Sequence, residues 1–479
     1  KLYEIADETG LYTLTNSVGN ASKSIINSFI FSCILIPIFT LCIILIIATL
    51  LHKVTTNSKT FMIIEIKNFI FKFNIIKFLY NSSIILLIIL FFACVYMILN
   101  KFYIIDYIKG NFQKSTFFEE NYINPENVNI SFNGEKKNLI YIYLESMEST
   151  YTNYDNGGEF EKNYIPELTN LAYDNLYFSN SDKLGGAEVI TGSNWTMAAM
   201  VSHTAGIPLK PISNGNEEYE NYEDFMPGVY SLGKILNDNG YKNYLMVGSD
   251  ATFGGRRKYF EQHGNYEIFD YYTAIEDSVI SEDYCVFWGY EDAILFEYAK
   301  EKFTEISKQD EPFNFTLLTV DTHTPDGYVS DFCEDFDDNP YLNAVKCSSA
   351  QTYNFIKWIQ QQDFYNDTVI IISGDHKSMN TYSFENITNN SRRTYNAFIN
   401  TNIISNCTTN REFTTMDMYP TTLAALGATI EGERLGLGTN LFSCEPTLSE
   451  KYEFEYIDDE LSKFSTYYVE CITNGNCDK

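Results

Sequence analysis

"NLIYIYLES", Asn138 to Ser146, is the stretch whose reading decides the fold. It is a short run of β-branched, leucine and aromatic residues that stops on a carboxylate, Glu145. Such a run, too short for a buried helix, reads as a strand. Three later runs repeat it: "YKNYLMVGSD" (Tyr241–Asp250), "PFNFTLLTVDTH" (Pro312–His323) and "DTVIIISGDH" (Asp367–His376). Helix-like stretches lie between them, such as "GVYSLGKILNDNG" (Gly228–Gly240) and "GYEDAILFEYAKEKF" (Gly289–Phe303). Strands alternating with helices predict an α/β fold with a mostly parallel central sheet. Near-continuous apolar strands predict helices on both faces of that sheet.

Upstream, the chain changes character. Ile26–Leu51 and Ser83–Leu99 are apolar and uncharged. A membrane-crossing helix needs about 20 apolar residues. The first stretch meets that length, and the second meets it with its flanking residues, as 83–104. The loop between them holds Lys53, Lys59, Lys67, Lys72 and Lys77 against Glu65 alone, which marks a cytoplasmic side. Within that loop, "FMIIEIKNFIFKFNIIKFLY" (Phe61–Tyr80) mixes apolar residues with lysines and reads as an interfacial helix. The expected organisation is a membrane anchor over 1–105, a linker over 106–137, a catalytic ectodomain over 138–446 and a tail over 447–479. The expected location is a cell membrane, multi-pass, with the catalytic domain outside the cytoplasm.

Charge follows the same division. Residues 1–110 carry nine Lys and five Asp or Glu, a net +4, so residues 111–479 carry −34 of the chain's total of −30. So acidic an ectodomain excludes nonspecific binding to nucleic acid. None of the ten cysteines shows the CxxC spacing of a zinc site. An outside location suits disulfides. Proximity along the chain favours Cys333–Cys347, Cys407–Cys444 and Cys471–Cys477, with Cys285 free, although spacing alone does not settle connectivity.

Three strand-like runs end in polar residues: Glu145, the Asp321/His323 pair, and Asp375–His376. Open α/β sheets bind ligands outside the carboxyl ends of their strands. Carboxylates and an imidazole together suit a divalent ion. A metal beside a hydroxyl makes a nucleophile, and "GGAEVITGSNWTMAAMVSHTAGIPL" (Gly185–Leu209) offers Thr196. A helix starting near Thr196 would aim its first amides at an anion, and Gly206 and Pro208 suit its end. "GGRRKYF" supplies Arg256, Arg257 and Lys258 for phosphate. Of the five histidines, His203 and His263 have packing roles by default, and His52 lies at the membrane edge.

The ectodomain resembles the alkaline phosphatase–sulfatase superfamily. Within it, the chain is similar to the membrane-anchored phosphoglycerol transferases, which include lipoteichoic acid synthases and osmoregulated glucan phosphoglycerol transferases. The resemblance spans about residues 138–445. It rests on "NLIYIYLESMESTY", "NWTMAAMVSHTAGIPL", "GGRRKYFEQHGNYEIFD", "TLLTVDTHTPDGY", "YLNAVKCSSA", "ISGDH" and "TTMDMYPTTLAALG" with "LGLGTNLFS", in that order. It implies Glu145, Thr196, Asp375 and His376 as metal ligands, usually to manganese, with magnesium or zinc as alternatives. It implies Thr196 as the nucleophile, Arg256 as a substrate-phosphate ligand, and His323 as a substrate contact and general acid or base. The implied reaction moves glycerophosphate from phosphatidylglycerol to a glycan or polymer acceptor through a phospho-threonine, releasing diacylglycerol at the membrane.

The chain departs from the lipoteichoic acid synthase pattern. "VGSDATFGGR" lacks the histidine and tryptophan that this branch places before its arginine. "DTHTPDG", "NAVKC" and the Cys333/Cys347 pair look more like the glucan-modifying branch. Two other activities share the fold. Phosphoethanolamine transfer is the main one. A sulfatase would need a C/S-x-P-x-R motif, which the Thr196 region lacks.

Overall fold

The computed structural model describes residues 61–66, 69–101, 113–210 and 223–477 apart from 335 and 381, with isolated positions at 39, 43, 46, 49 and 53. The described residues divide into two compact units, one up to Lys101 and one from Gln113 onward.

In the first unit, Phe61–Ile66 and Phe69–Asn74 pair as an antiparallel hairpin. This corrects the interfacial helix expected over Phe61–Tyr80. Both segments are rich in Ile and Phe, residues that favour extended backbone, and Lys67 and Asn68 fall between them. A helix begins only at Ile75 and runs to Lys101. It contains the second apolar stretch, but no helix, counted over its described residues, is long and apolar enough to cross a membrane. The first expected span, 26–51, lies almost wholly outside the described residues.

The second unit is built on a six-stranded sheet. Its strands are β1 (Asn138–Leu144), β2 (Lys242–Val247), β3 (Glu267–Phe269), β4 (Phe313–Leu318), β5 (Thr368–Gly374) and β6 (Asn396–Ile399). They lie in the order β3-β2-β4-β1-β5-β6. All neighbours pair in parallel except β5 and β6, which are antiparallel. The sheet is thus mixed and mostly parallel.

Alternation along each strand feeds two cores. Leu139, Tyr141 and Tyr143 of β1 face one core, and Ile140, Ile142 and Leu144 face the other. The first core takes helices α2 (Thr196–Ala205), α3 (Leu232–Asp238), α4 (Arg256–Gln262) and α7 (Met418–Ala425). The second takes α1 (Pro166–Tyr173), α5 (Asp292–Ile306) and α6 (Pro340–Ile359). With both faces covered, the strands have no polar side, which is why they read as continuous apolar runs.

The ends of this unit are folded as well. From residue 113 the expected linker packs onto the sheet domain: Phe117 and Phe118 are buried, and Ile130–Phe132 pairs with Ala428–Ile430. In the tail, α8 (Phe454–Ser462) buries Ile457 and Leu461 in the first core. Asp458 Oδ1 accepts a hydrogen bond from Thr191 N at 2.7 Å, in the loop that leads to Thr196. Disulfides join Cys333–Cys347, Cys407–Cys444 and Cys471–Cys477, and Cys285 is an exposed free thiol.

Candidate active site

The site forms where β1 and β5 end side by side. Glu145 follows β1 and is 3% exposed. Its amide donates to Thr319 Oγ1 at 3.0 Å, and its carbonyl accepts from the Thr322 hydroxyl. Ser146 then turns the chain through a left-handed conformation (φ 52), strained for a non-glycine residue. That turn lets the Ser146 amide donate to Asp375 Oδ1 at 2.8 Å and its hydroxyl donate to Glu145 Oε1 at 2.7 Å. Gly374 sits under the same turn. A β-carbon there would lie 1.7 Å from the Met147 carbonyl oxygen.

Asp375 and His376 follow β5 and are fully buried. The His376 ring is fixed by Nδ1–H, which donates to the Lys377 carbonyl at 2.8 Å. A carbonyl can only accept, so the lone pair of the neutral ring is on Nε2. Nε2 lies 3.5 Å from both Glu145 Oε1 and Asp375 Oδ2. One ligand atom from each of Glu145, Asp375 and His376 lies within 4.8 Å of the others.

Thr196 opens α2 and is half-buried. Its hydroxyl donates to Glu145 Oε2 at 3.1 Å. The first helical hydrogen bond runs from Ala199 N to Trp195 O (2.8 Å), so the amides before it have no acceptor within the helix. The helix ends at Gly206, which has φ 65. The chain before Thr196 is no loose loop. Glu188 N donates to Phe413 O (2.9 Å), and Ala187 bridges Thr394.

Burial and mutual repulsion shape the charges of the cluster. Burial, reinforced by the charge of Glu145, pushes the Asp375 carboxyl up to about 8. For Glu145, burial also acts upward, but the adjacent His376 and the nearby His323 outweigh it and hold the carboxyl below its ordinary value. Asp375 Oδ2 is buried with no hydrogen-bond partner among the described residues. Two buried carboxylates, a lone pair on a fixed imidazole and an unpaired oxygen fit a divalent cation.

The remaining candidates stand on the same sheet edge. His323 follows β4, and its Nδ1–H donates to the Thr324 carbonyl at 2.8 Å, leaving Nε2 for other work. Arg256, 7% exposed, begins α4 after β2 and donates to Ser249 Oγ (3.1 Å) and the Asp250 carbonyl (2.9 Å). Its neighbour Arg257 is tied to Asp270 at 2.5 Å. Thr196, Glu145, Asp375 and His376 are thus in one cluster, with His323 within its electrostatic reach and Arg256 on the adjoining loop. His203 and His263 are packing residues. His203 donates from Nδ1 to the Ala199 carbonyl, and its Nε2 lies 3.2 Å from Ser373 Oγ. His263 bonds the Phe225 carbonyl through Nε2.

Three features of the site have no sequence forecast. Asp321 does not face the cluster; it is tied to Asp292, the first residue of α5. Asp292 takes the amides of Val320 (2.7 Å) and Asp321 (3.1 Å), and Asp321 Oδ1 takes the amide of Asp292 (3.1 Å). Burial pushes Asp292 up to about 7 and Asp321 well above the carboxylate range. This tie braces the His323 loop. The second feature is an ionic network of Glu148, Glu188, Lys377, Arg392 and Arg393. The third is Trp288, whose ring centroid lies 4.6 Å from that of His323.

Comparisons with known proteins agree with this architecture. Phosphoglycerol transferase I of Escherichia coli O127:H6 is 35% identical over 317 residues, which cover 64% of this chain and 39% of the relative. Its counterpart in Shigella flexneri is 34% identical over the same length and shares. The chain thus spans about two fifths of the curated relatives it matches. Among solved structures, the lipoteichoic acid synthase LtaP of Listeria monocytogenes superposes with a TM-score of 0.52 at 21% identity, over 66% of this chain and 79% of the other. A Vibrio parahaemolyticus protein of the alkaline phosphatase superfamily gives 0.50 at 20% identity, over 66% and 71%. These two likenesses support the fold. The sulfatase family model matches residues 137–428, from the start of β1 to beyond α7, and encloses every candidate residue named above; the chain belongs to the sulfatase family of enzymes.

Proposed function

We propose that the chain is a phosphoglycerol transferase: it moves glycerophosphate from phosphatidylglycerol to an extracytoplasmic glycan or polymer acceptor and releases diacylglycerol. The observation that carries this reading is Thr196, a hydroxyl at a helix start bonded to Glu145 beside Asp375 and His376. The 35% identity to a phosphoglycerol transferase supports the choice of transferred group. The absence of a C/S-x-P-x-R motif around Thr196 weighs against sulfate ester hydrolysis.

Glu145, Asp375 and His376, with Thr196 Oγ1, would hold a divalent ion, manganese in preference to magnesium or zinc. When bound, such an ion stabilises negative charge on oxygen. The chain's own residues do the rest. The hydrogen bond to Glu145 directs the Thr196 proton to the carboxylate and leaves an oxygen lone pair for phosphorus. The first-turn amides of α2 and Arg256 take the non-bridging phosphate oxygens. As the Thr196 O–P bond forms, the P–O bond to diacylglycerol breaks, and His323 Nε2 delivers a proton to the departing oxygen. In the second half an acceptor hydroxyl gives its proton to His323 Nε2 and attacks phosphorus, the Thr196 O–P bond breaks, and the Thr196 oxygen takes back its proton from Glu145. Two displacements replace one harder one.

The remaining parts of the reading concern location. Residues 1–105 serve as a membrane anchor with spans 26–51 and 83–104, and residues 138–446 form the catalytic ectodomain. Exposed Ile85, Ile88, Ile89, Phe91 and Phe92 on the Ile75–Lys101 helix support contact with lipid. The three disulfides support an oxidising compartment.

The test uses the full chain in vesicles with head-group-labelled phosphatidylglycerol and a panel of glycan acceptors. Diacylglycerol release with label on a glycan is the expected result. Transfer from phosphatidylethanolamine with none from phosphatidylglycerol would overturn the reading in favour of phosphoethanolamine transfer.

A further inference from the structure

Trp288 stands apart from every motif above, yet it is built into the site's wall. It lies in a tight turn closed by Val286 and Gly289, whose backbones bridge at 2.8 and 3.1 Å. The turn holds Phe287 at φ 58, a left-handed conformation that is strained for a bulky residue. Such strain persists only where the surroundings impose it. Here Tyr290 N donates to the Gly248 carbonyl at 3.0 Å, pinning the turn to the loop after β2 that carries Arg256.

The strained turn sets the indole against His323 and Phe253. Its ring lies against His323 at 4.6 Å with the planes 55° apart. It also meets Phe253 at 6.1 Å, and the Arg256 guanidinium sits 5.9 Å over the Phe253 ring. His323, Trp288, Phe253 and Arg256 thus form one continuous wall between the residue for the leaving oxygen and the residue for phosphate. The indole Nε1 is buried and has no hydrogen-bond acceptor among the described residues. A buried N–H without an acceptor is costly, and a ligand oxygen that supplies one recovers the loss.

Resting on the transferase reading above, we propose that Trp288 is a donor-positioning residue: its ring holds the His323 imidazole in register, and its indole N–H donates to an oxygen of the bound glycerophosphate diester. The two roles separate by substitution. Trp288→Phe keeps a ring against His323 and removes the N–H. Trp288→Leu removes both.

The experiment measures diacylglycerol release by the full chain in vesicles at varied phosphatidylglycerol content, after thermal unfolding confirms that each variant folds. Trp288→Phe is expected to raise KM about tenfold with kcat within about twofold of wild type. Trp288→Leu is expected to lower kcat a further tenfold or so. An unchanged KM in Trp288→Phe, or equal kcat in the two variants, overturns the proposal. A wild-type chain inactive on phosphatidylglycerol would instead refute the transferase reading, and the same variants are then compared on whichever phospholipid the wild type turns over.

Discussion

Two buried charge clusters draw on the segments after β1 and β5, and the second also takes Glu188, Arg392 and Arg393 from elsewhere in the chain. Glu145, Asp375 and His376 form one; Glu148, Glu188 and Lys377, with Arg392 and Arg393, form the other. In the second, each carboxylate meets cations supplied by the chain. Glu148 takes Arg392 through Nε at 3.0 Å and through a terminal nitrogen, and it also takes the Ser378 amide at 2.8 Å. Glu188 binds Lys377, and Arg393 at 2.5 Å. In the first cluster the chain supplies two carboxylates and an imidazole, and no Lys or Arg is paired with them among the described ion pairs. The difference separates a brace from a candidate socket: in one, every carboxylate is matched to Lys or Arg when folding ends, and in the other the described ion pairs hold neither.

Several experiments break or sharpen that contrast. The largest effect belongs to the proposed nucleophile. Thr196→Ala should cut diacylglycerol release by about a thousandfold or more while thermal unfolding stays near wild type. Next come matched substitutions in the two clusters. Glu148→Gln leaves Arg392 buried without its full partner and should cost about 3–5 kcal/mol in denaturant unfolding. Glu145→Gln should cost far less in chelator-treated protein, because it removes one of two repelling carboxylates, yet elemental analysis should show that the bound divalent ion is lost. Chelator itself should abolish turnover, and a divalent ion should restore it; turnover indifferent to chelator would make the socket a second brace.

A smaller effect should appear with pH. Burial pulls the His203 imidazole down from 6.5 to about 4, so the folded chain holds this ring neutral. The stability it contributes is fully present above 6.5 and fades as the unfolded chain takes up a proton on the way to pH 4. The loss should approach about 3 kcal/mol in chelator-treated protein. His203→Gln should flatten that part of the curve, as read by denaturant unfolding at a series of pH values.

The parts of the site legible in sequence are those tied to strand ends. β1, β4 and β5 are apolar because both sheet faces are covered, and Glu145, Asp375 and His376 announce themselves where the apolar runs stop. The Thr196 helix is visible through Gly206 and Pro208, which end it. Trp288 was not legible, because nothing local ties a turn at 286–289 to His323 on another strand's loop. Asp321 has the same sequence signature as Glu145 and a different job, since its partner Asp292 lies 29 residues away on α5. Phe61–Asn74 misled because isoleucine and phenylalanine serve a lipid-facing helix and a hairpin equally well. Residues 113–137 and the tail read as segments outside the sheet domain, yet a few residues such as Phe117, Phe118, Ile457 and Leu461 bury in its core.

Gly374 carries a consequence of its own. The distance between the β1 and β5 ligands is set by bare backbone against bare backbone, with the Met147 carbonyl resting where a side chain would begin. A gauge made of empty space has no intermediate settings, because the smallest possible addition is already too large. If the proposed site holds an ion, its preference among ions would therefore be tuned through the identity of the groups that line it rather than through its width.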